Sequence, residues 1–222
     1  MKQIFTNFYG FDDVRITRKP IYVKDGIIVE EFEKDKDTEV IDCKNLALVP
    51  AFTDLHVHFR DPGFTYKEDI ETGSKAALKG GFTSVLLMGN TNPPVSSPEV
   101  YEDIIGRSKD LDLIDVEQVY TITENLGGKS LDHLEKMPES VKFLSDDGRG
   151  VNDDNIMYEA ILKAKELGVK LALHEEVARV SRKDYEIAED AMTIRDCYLA
   201  YKLDSPIHFC HVSTKGAMTA IK

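Results

Sequence analysis

The sequence predicts an α/β protein: a (β/α)8 TIM-type barrel represented by about six of its eight strands, behind a small β-rich segment. Three observations carry this reading. Beyond residue 46, apolar runs of strand length alternate with helix-period segments, the order of a parallel sheet with helices packed outside it. The runs are nearly continuous in apolar residues, as strands buried on both faces are. The first run ends in histidines, where an open doubly wound sheet usually carries a glycine-rich phosphate turn. A complete barrel takes about 250 residues, more than this 222-residue chain holds. The expectation is therefore an incomplete barrel, the N-terminal part of a longer one.

Residues 1–46 alternate short β-rich runs with turns: "QIFTNFYG", "PIYVKDGIIVEEFE" and "TEVIDCKN". The "KDG" and "KDKD" breaks read as hairpin turns. So few strands cannot bury a core alone, so this segment is expected to be part of a small β-sandwich domain. Residues 47–222 form the barrel domain, with strands in "LALVPAFTDLHVHF", "FTSVLLM", "VEQVYTIT", "VKFLS", "VKLALH" and "PIHFCH". Between them, "YKEDIETGSKAALKGG" opens with acidic residues and closes on Gly80-Gly81, as a capped helix does. Pro98 stands in the first turn of the next helix, where its missing N–H costs nothing. Ile156, Ala160, Ile161, Ala164 and Leu167 form one apolar stripe, and Gly168 ends that helix. Tyr185 to Leu203 reads as a longer helix, and "STKGAMTAIK" as the opening of a sixth.

Composition removes several classes of function. A net charge of −12 disfavours nucleic acid or an anionic membrane as the main partner. No run approaches the roughly 18 apolar residues of a membrane span, and the N-terminus lacks the pattern of a signal peptide. Cys43, Cys197 and Cys210 are odd in number and widely spaced, which suits a reducing cytoplasm. A small anionic substrate remains compatible, provided that cations gather at the site.

The chemistry concentrates at strand ends. In "DLHVHFRDPG", Asp54, His56, His58 and Arg60 alternate and so share one face of a strand. Paired imidazoles on a rigid strand can reach one metal ion, and zinc takes nitrogen ligands together with carboxylates. His174 ends the fifth run, His211 the sixth, and Asp146 and Asp147 follow the fourth, with Gly148 turning the chain. A barrel brings the C-terminal ends of all its strands to one rim. Four strands then deliver four histidines and a carboxylate to one mouth, a set that suits two divalent ions better than one. By contrast, His133 lies in a polar stretch and is expected to be solvent-exposed. His208 has the opposite parity to His211 and is expected, with Cys210, to face the helical layer as packing.

The block "PAFTDLHVHFRDPGFTYKEDIETGSKAALKGGFTSVLLMGNTNPP" resembles class I dihydroorotases of the amidohydrolase superfamily. The resemblance continues through "FLSDDGRGV", "MYEAILKAKELGVKLALHEE", "AEDAMTIRDCYLA" and "HFCHVSTK" and covers nearly the whole chain. It implies a metal-dependent hydrolase that interconverts N-carbamoyl-L-aspartate and L-dihydroorotate in pyrimidine synthesis. His56, His58, Asp147, His174 and His211 would be the metal ligands, with Asp147 and a hydroxide bridging two Zn2+. Lys142 is the rival bridge, because a carboxylated lysine on strand four bridges the metals in many barrel hydrolases. Arg60 and Asn90 would bind the substrate, whose carboxylate suits a planar guanidinium. The proton-shuttling aspartate of the family would lie beyond Lys222, so no catalytic acid or base is assigned within the chain. Ala51 and Gly89 stand where the family usually has Gly and Pro, and the loop after His174 is shorter than usual. The implied partners are the small-molecule substrate and either a second copy or aspartate carbamoyltransferase. The rival functions are a non-catalytic subunit scaffolding that transferase, and another cyclic amidase such as an allantoinase or hydantoinase.

Overall fold

The structure is a computed structural model that describes residues 1–11 and 16–222. Two compact units divide at Ala51/Phe52. In the first, β1 (Lys2–Thr6), β4 (Ile21–Lys24), β5 (Ile27–Val29) and β6 (Thr38–Asp42) form one sheet in the order β5-β4-β1-β6. A separate antiparallel pair joins β2 (Gly10–Phe11) to β3 (Ile16–Thr17). The "KDG" break is a hairpin turn between β4 and β5: Asp25 and Gly26 both take positive φ, +52° and +81°. That backbone matches the right-handed twist of the strands it joins, and Asp-Gly supplies it cheaply. The "KDKD" break is not a hairpin, contrary to the sequence reading. It lies on a crossover from β5 at one edge to β6 at the other, where β6 runs parallel to β1. Asp35 holds that crossover by accepting from Thr38 Oγ1 at 2.8 Å and from Lys2 Nζ at 2.7 Å.

The second unit is the α/β part. Its strands are β7 (Phe52–Val57), β8 (Phe82–Leu87), β9 (Asp115–Gln118), β10 (Phe143–Leu144), β11 (Lys170–Leu173) and β12 (Ile207–Phe209). They form two parallel three-stranded sheets, β7-β8-β9 and β10-β11-β12, which a parallel bridge between Tyr120 and Leu144 connects. The helices are α1 (Ile70–Lys79), α2 (Pro98–Leu111), α3 (Asp154–Leu167), the short α4 (Ala178–Ser181), α5 (Tyr185–Leu203) and α6 (Lys215–Ile221). Helix α1 starts only after "YKED". Asp69 accepts from Thr72 N at 2.7 Å, and Thr72 Oγ1 accepts from Asp69 N, a reciprocal cap that fixes the first turn. Asp153 caps α3 in the same position, and Gly168 ends it at φ +70°. Within α3 the stripe is shifted slightly: Met157 is buried, whereas Leu167 is exposed.

Side-chain alternation sorts the strands into two layers. Val85 and Leu87, Leu171 and Leu173, and Ile207 and Phe209 pack with Tyr101, Ile104, Ala160 and Ile161 of the helices. Leu86, Met88 and Val119 form a second, inner cluster with Phe143. Residues that alternate with the helix-facing set point into the barrel. His208 therefore lies on the inner side, between Ile207 and Phe209, and is exposed, so the expectation that it faces the helical layer is wrong. The parity count failed because His211 takes φ +35°, which breaks the alternation by which it was counted back. No helix among the described residues is long and apolar enough to cross a membrane.

Candidate metal centre

All five of the ligand candidates come together on Phe52–Lys222, at the C-terminal ends of their strands. The Asp147 carboxylate is the hub. Its Oδ1 lies 3.4 Å from His56 Nε2, 3.4 Å from His174 Nδ1 and 3.2 Å from His211 Nε2, and its Oδ2 lies 3.4 Å from His58 Nε2. Two three-residue groups result, His56–His58–Asp147 and Asp147–His174–His211, with the donor atoms of each within 4.8 Å of one another. His174 Nδ1 and His211 Nε2 approach to 3.1 Å. With the lone pair on His174 Nδ1, His211 Nε2–H donates to it, and a bound cation would take the place of that proton. This donor set, nitrogens with one carboxylate, is the one that zinc accepts.

Local structure explains the placing. His56 and His58 lie at and just past the end of β7, and both side chains are about three-quarters covered. Arg60 lies beyond the regular alternation, at φ +61°, and it donates to Asn90 Oδ1 at 3.4 Å. Among the described residues it forms no ion pair. Asp61, its neighbour, is held instead by the two terminal guanidinium nitrogens of Arg107, at 2.8 and 3.0 Å. Gly63 locks the loop after β7 to the loop after β8: a Cβ there would lie 2.2 Å from the Asn92 carbonyl oxygen. Asn92 N donates to Pro62 O at 3.0 Å across the same contact.

The same loop presents Asn90 to the cluster. His58 Nδ1 donates to Asn90 Oδ1 at 3.0 Å, which leaves its Nε2 lone pair facing Asp147. Asn90 Nδ2 donates to Asp147 Oδ2 at 3.1 Å. Asn90 thus orients two of the acidic and basic groups, a role that the sequence did not reveal. Asp146 does similar service from within the core. It accepts from Thr123 N at 3.0 Å and from Thr123 Oγ1, so it anchors the Asp146–Gly150 turn. Burial pushes its pKa up to about 6 against those hydrogen bonds. Gly150 needs its φ of +62° and has no room for a Cβ, which would sit 2.6 Å from the His174 carbonyl oxygen.

Two further carboxylates steady the histidines. His174 Nε2 donates to Glu176 Oε2 at 2.9 Å, which selects the tautomer with a free Nδ1. Glu189 of α5 accepts from Ser213 N at 2.7 Å and Thr214 N at 3.0 Å, fixing the loop that carries His211. The Glu176 signal was available in the sequence, two residues after a strand-end histidine. The Glu189 signal was not, because it acts across a long separation. Lys142 stands apart from the cluster: it is exposed and paired with Glu117. His133 is buried, contrary to the sequence reading. It stacks on Tyr120 with ring centroids 5.3 Å apart, and Nε2 donates to Thr121 O at 3.0 Å. A polar-looking stretch hides it because its neighbour Leu134 is the buried anchor of that turn.

Electrostatics follow the packing. Burial alone would raise the Asp147 pKa, but the facing imidazoles of His174, His211, His56 and His58 hold it well below the usual carboxylate range. Burial lowers His56 and His58, and Arg60 reinforces the effect on His58. Burial also acts on His174, but Asp147 and Glu176 outweigh it and raise its pKa. Beneath the rim, burial pushes the Cys210 thiol up to about 12, with Asp147 and Glu175 adding to the effect.

Comparison with known proteins settles the family. A model described as "Dihydro-orotase-like" matches residues 45–189. The chain belongs to the dihydroorotase-like family. A dihydroorotase of Clostridium botulinum is 48% identical over 226 residues, covering 100% of this chain and 56% of the relative. One from Clostridioides difficile is 39% identical, covering 86% of this chain and 49% of that protein. This dihydroorotase-like chain thus spans about half the length of the curated relatives that it matches. Among solved structures, a D-hydantoinase from Thermus sp. is 27% identical with a TM-score of 0.75, covering 98% of this chain and 54% of that one. A Saccharomyces cerevisiae dihydroorotase in complex with 5-fluoroorotic acid superposes with a TM-score of 0.59 over 78% of this chain and 50% of that one, at 18% identity. The barrel fold is common to all of them, and the family is metal-dependent.

Proposed function

We propose that the chain supplies the metal-binding and substrate-clamping part of a zinc-dependent dihydroorotase. In this reading the protein interconverts N-carbamoyl-L-aspartate and L-dihydroorotate in cytoplasmic pyrimidine synthesis. The observation that carries it is the Asp147 carboxylate set within 3.2–3.4 Å of four histidine nitrogens, in a chain 48% identical to a curated dihydroorotase.

His56, His58, His174 and His211 would hold two zinc ions, with Asp147 between them. Bound zinc would act as a Lewis acid on the ring amide carbonyl and acidify the water that attacks it. Asn90 and Glu176 keep the imidazole lone pairs aimed inward. Arg60, with no competing ion pair among the described residues, clamps the substrate carboxylate through paired charge-assisted hydrogen bonds. In the synthetic direction the ureido nitrogen bonds to the side-chain carboxyl carbon, and water leaves.

Arg60 favours this reading over a hydantoinase, because hydantoins lack the carboxylate that it would hold. The complete histidine set favours it over a scaffolding subunit. Assembly as a homodimer or with aspartate carbamoyltransferase is part of the same proposal. The test is turnover of dihydroorotate and hydantoin by the natural protein that carries this chain, loaded with zinc. Dihydroorotate should be strongly preferred; a preference for hydantoin would overturn the assignment.

A further inference from the structure

A groove of about 820 Å³ opens beside the metal cluster, with Gly148 and Glu176 on its wall. Gly148 follows Asp147 directly, and Glu176 is bonded to His174, so this wall is continuous with the cluster. Lys129, Arg149, Arg179 and Arg182 also line it. Four cations in one groove run against a chain whose net charge is −12. Two acids share the wall, Asp153 and Glu176, so two of the four positive charges stay uncompensated within the lining; Glu176 is also engaged by His174. Arg149 donates to the neutral Leu126 carbonyl at 3.3 Å, which tethers the guanidinium and leaves its charge intact. All four cations are exposed to solvent.

We propose that this groove is an anion-capture site that gathers small carboxylates and delivers them to the metal centre. The inference rests on the dihydroorotase reading for the identity of its natural ligands, both of which are carboxylates. An acidic protein repels such ligands at long range, and a local cation cluster beside the site reverses that field where it matters. Focused fields of this kind raise association by about 10–10³-fold and fall steeply with salt.

Salt provides the test. In the natural protein, Lys129→Gln, Arg179→Gln and Arg182→Gln together should lower kcat/KM for dihydroorotate about tenfold at low ionic strength. The loss must be the same for carbamoyl aspartate, because the ratio of the two kcat/KM values is the reaction's equilibrium constant. At about 1 M salt, where the screening length falls to about 3 Å, variant and wild type should converge. Lys75→Gln with Lys163→Gln removes charge elsewhere on the surface and should follow the wild-type curve. A salt curve unchanged by the triple substitution would overturn the proposal, as would a loss that persists at high salt. Calorimetric binding of succinate to the zinc-loaded protein separates this from the dihydroorotase reading, since it needs no turnover. A protein that turns over neither substrate but binds succinate with the same salt-dependent, variant-sensitive affinity loses the dihydroorotase reading and keeps the groove. Succinate affinity equal in wild type and variant at low salt would sink the groove alone.

Discussion

His56, His58 and His174 take up protons according to what each one faces. His56 and His58 have pKa values lowered by burial, so they stay neutral and able to bind metal below their ordinary range near 6.5. His174 is raised by Asp147 and Glu176, so it protonates before His56 and His58 as the pH falls. Metal must displace that proton, and its affinity falls with the displacement. Acid titration of the zinc-loaded protein should therefore release metal from the Asp147–His174–His211 group at higher pH than from the His56–His58–Asp147 group. In His174→Ala the higher-pH step should be missing, and a single unchanged two-ion release would count against the assignment. Arg60 is the other residue with a specific expectation. Removing one partner of a desolvated charge pair costs about 2–5 kcal/mol. Arg60→Met should then cut kcat/KM for dihydroorotate by roughly 30- to 5,000-fold while zinc content stays level. Equal losses on dihydrouracil, which lacks the carboxylate, would show that Arg60 serves the fold instead.

Loops rather than strands place most of these groups, and the loops depend on a few positions. Gly150→Ala meets both a left-handed φ and the His174 carbonyl at 2.6 Å. Gly168→Ala, at φ +70° with nothing within 4 Å, meets the backbone strain alone. Thermal unfolding should show a cost of about 1–2 kcal/mol for Gly168→Ala and a larger one for Gly150→Ala. The latter should also lose zinc, because its collision is with the chain that carries His174. Similar melting points for the two variants would refute the close contact. Helix α5 has a comparable part at His211. Glu189→Ala frees Ser213 and Thr214 and should weaken zinc binding about 10–100-fold, as loss of an outer-shell partner does. A competition titration against a chelator would measure that change.

At the scale of the molecule, the order of strands and helices was legible because burial on both faces leaves continuous apolar runs in β8 and β11. The strand-end histidines were legible for the same reason, since a polar imidazole stands out where such a run stops. Features that depend on a single dihedral angle were not. His211 at φ +35° defeated the parity count for His208, and the edge-to-edge crossover through Asp35 looked locally like a hairpin. Long-range polar contacts were equally silent, as in Thr123 on Asp146 and Asn90 on Asp147. His133 was misjudged because composition reports a segment's average polarity and not which side chain turns inward.

The whole arrangement is built around one carboxylate, and metal content tests it most directly. Zinc should be counted in the natural protein and in its Asp147→Ala and Lys142→Ala variants, purified alike without added bicarbonate. Two zinc ions per chain are expected in the wild type and in Lys142→Ala, with both lost or nearly lost in Asp147→Ala. Zinc retained in Asp147→Ala but lost in Lys142→Ala, and restored to wild-type preparations only by bicarbonate, would contradict Asp147 as the bridge.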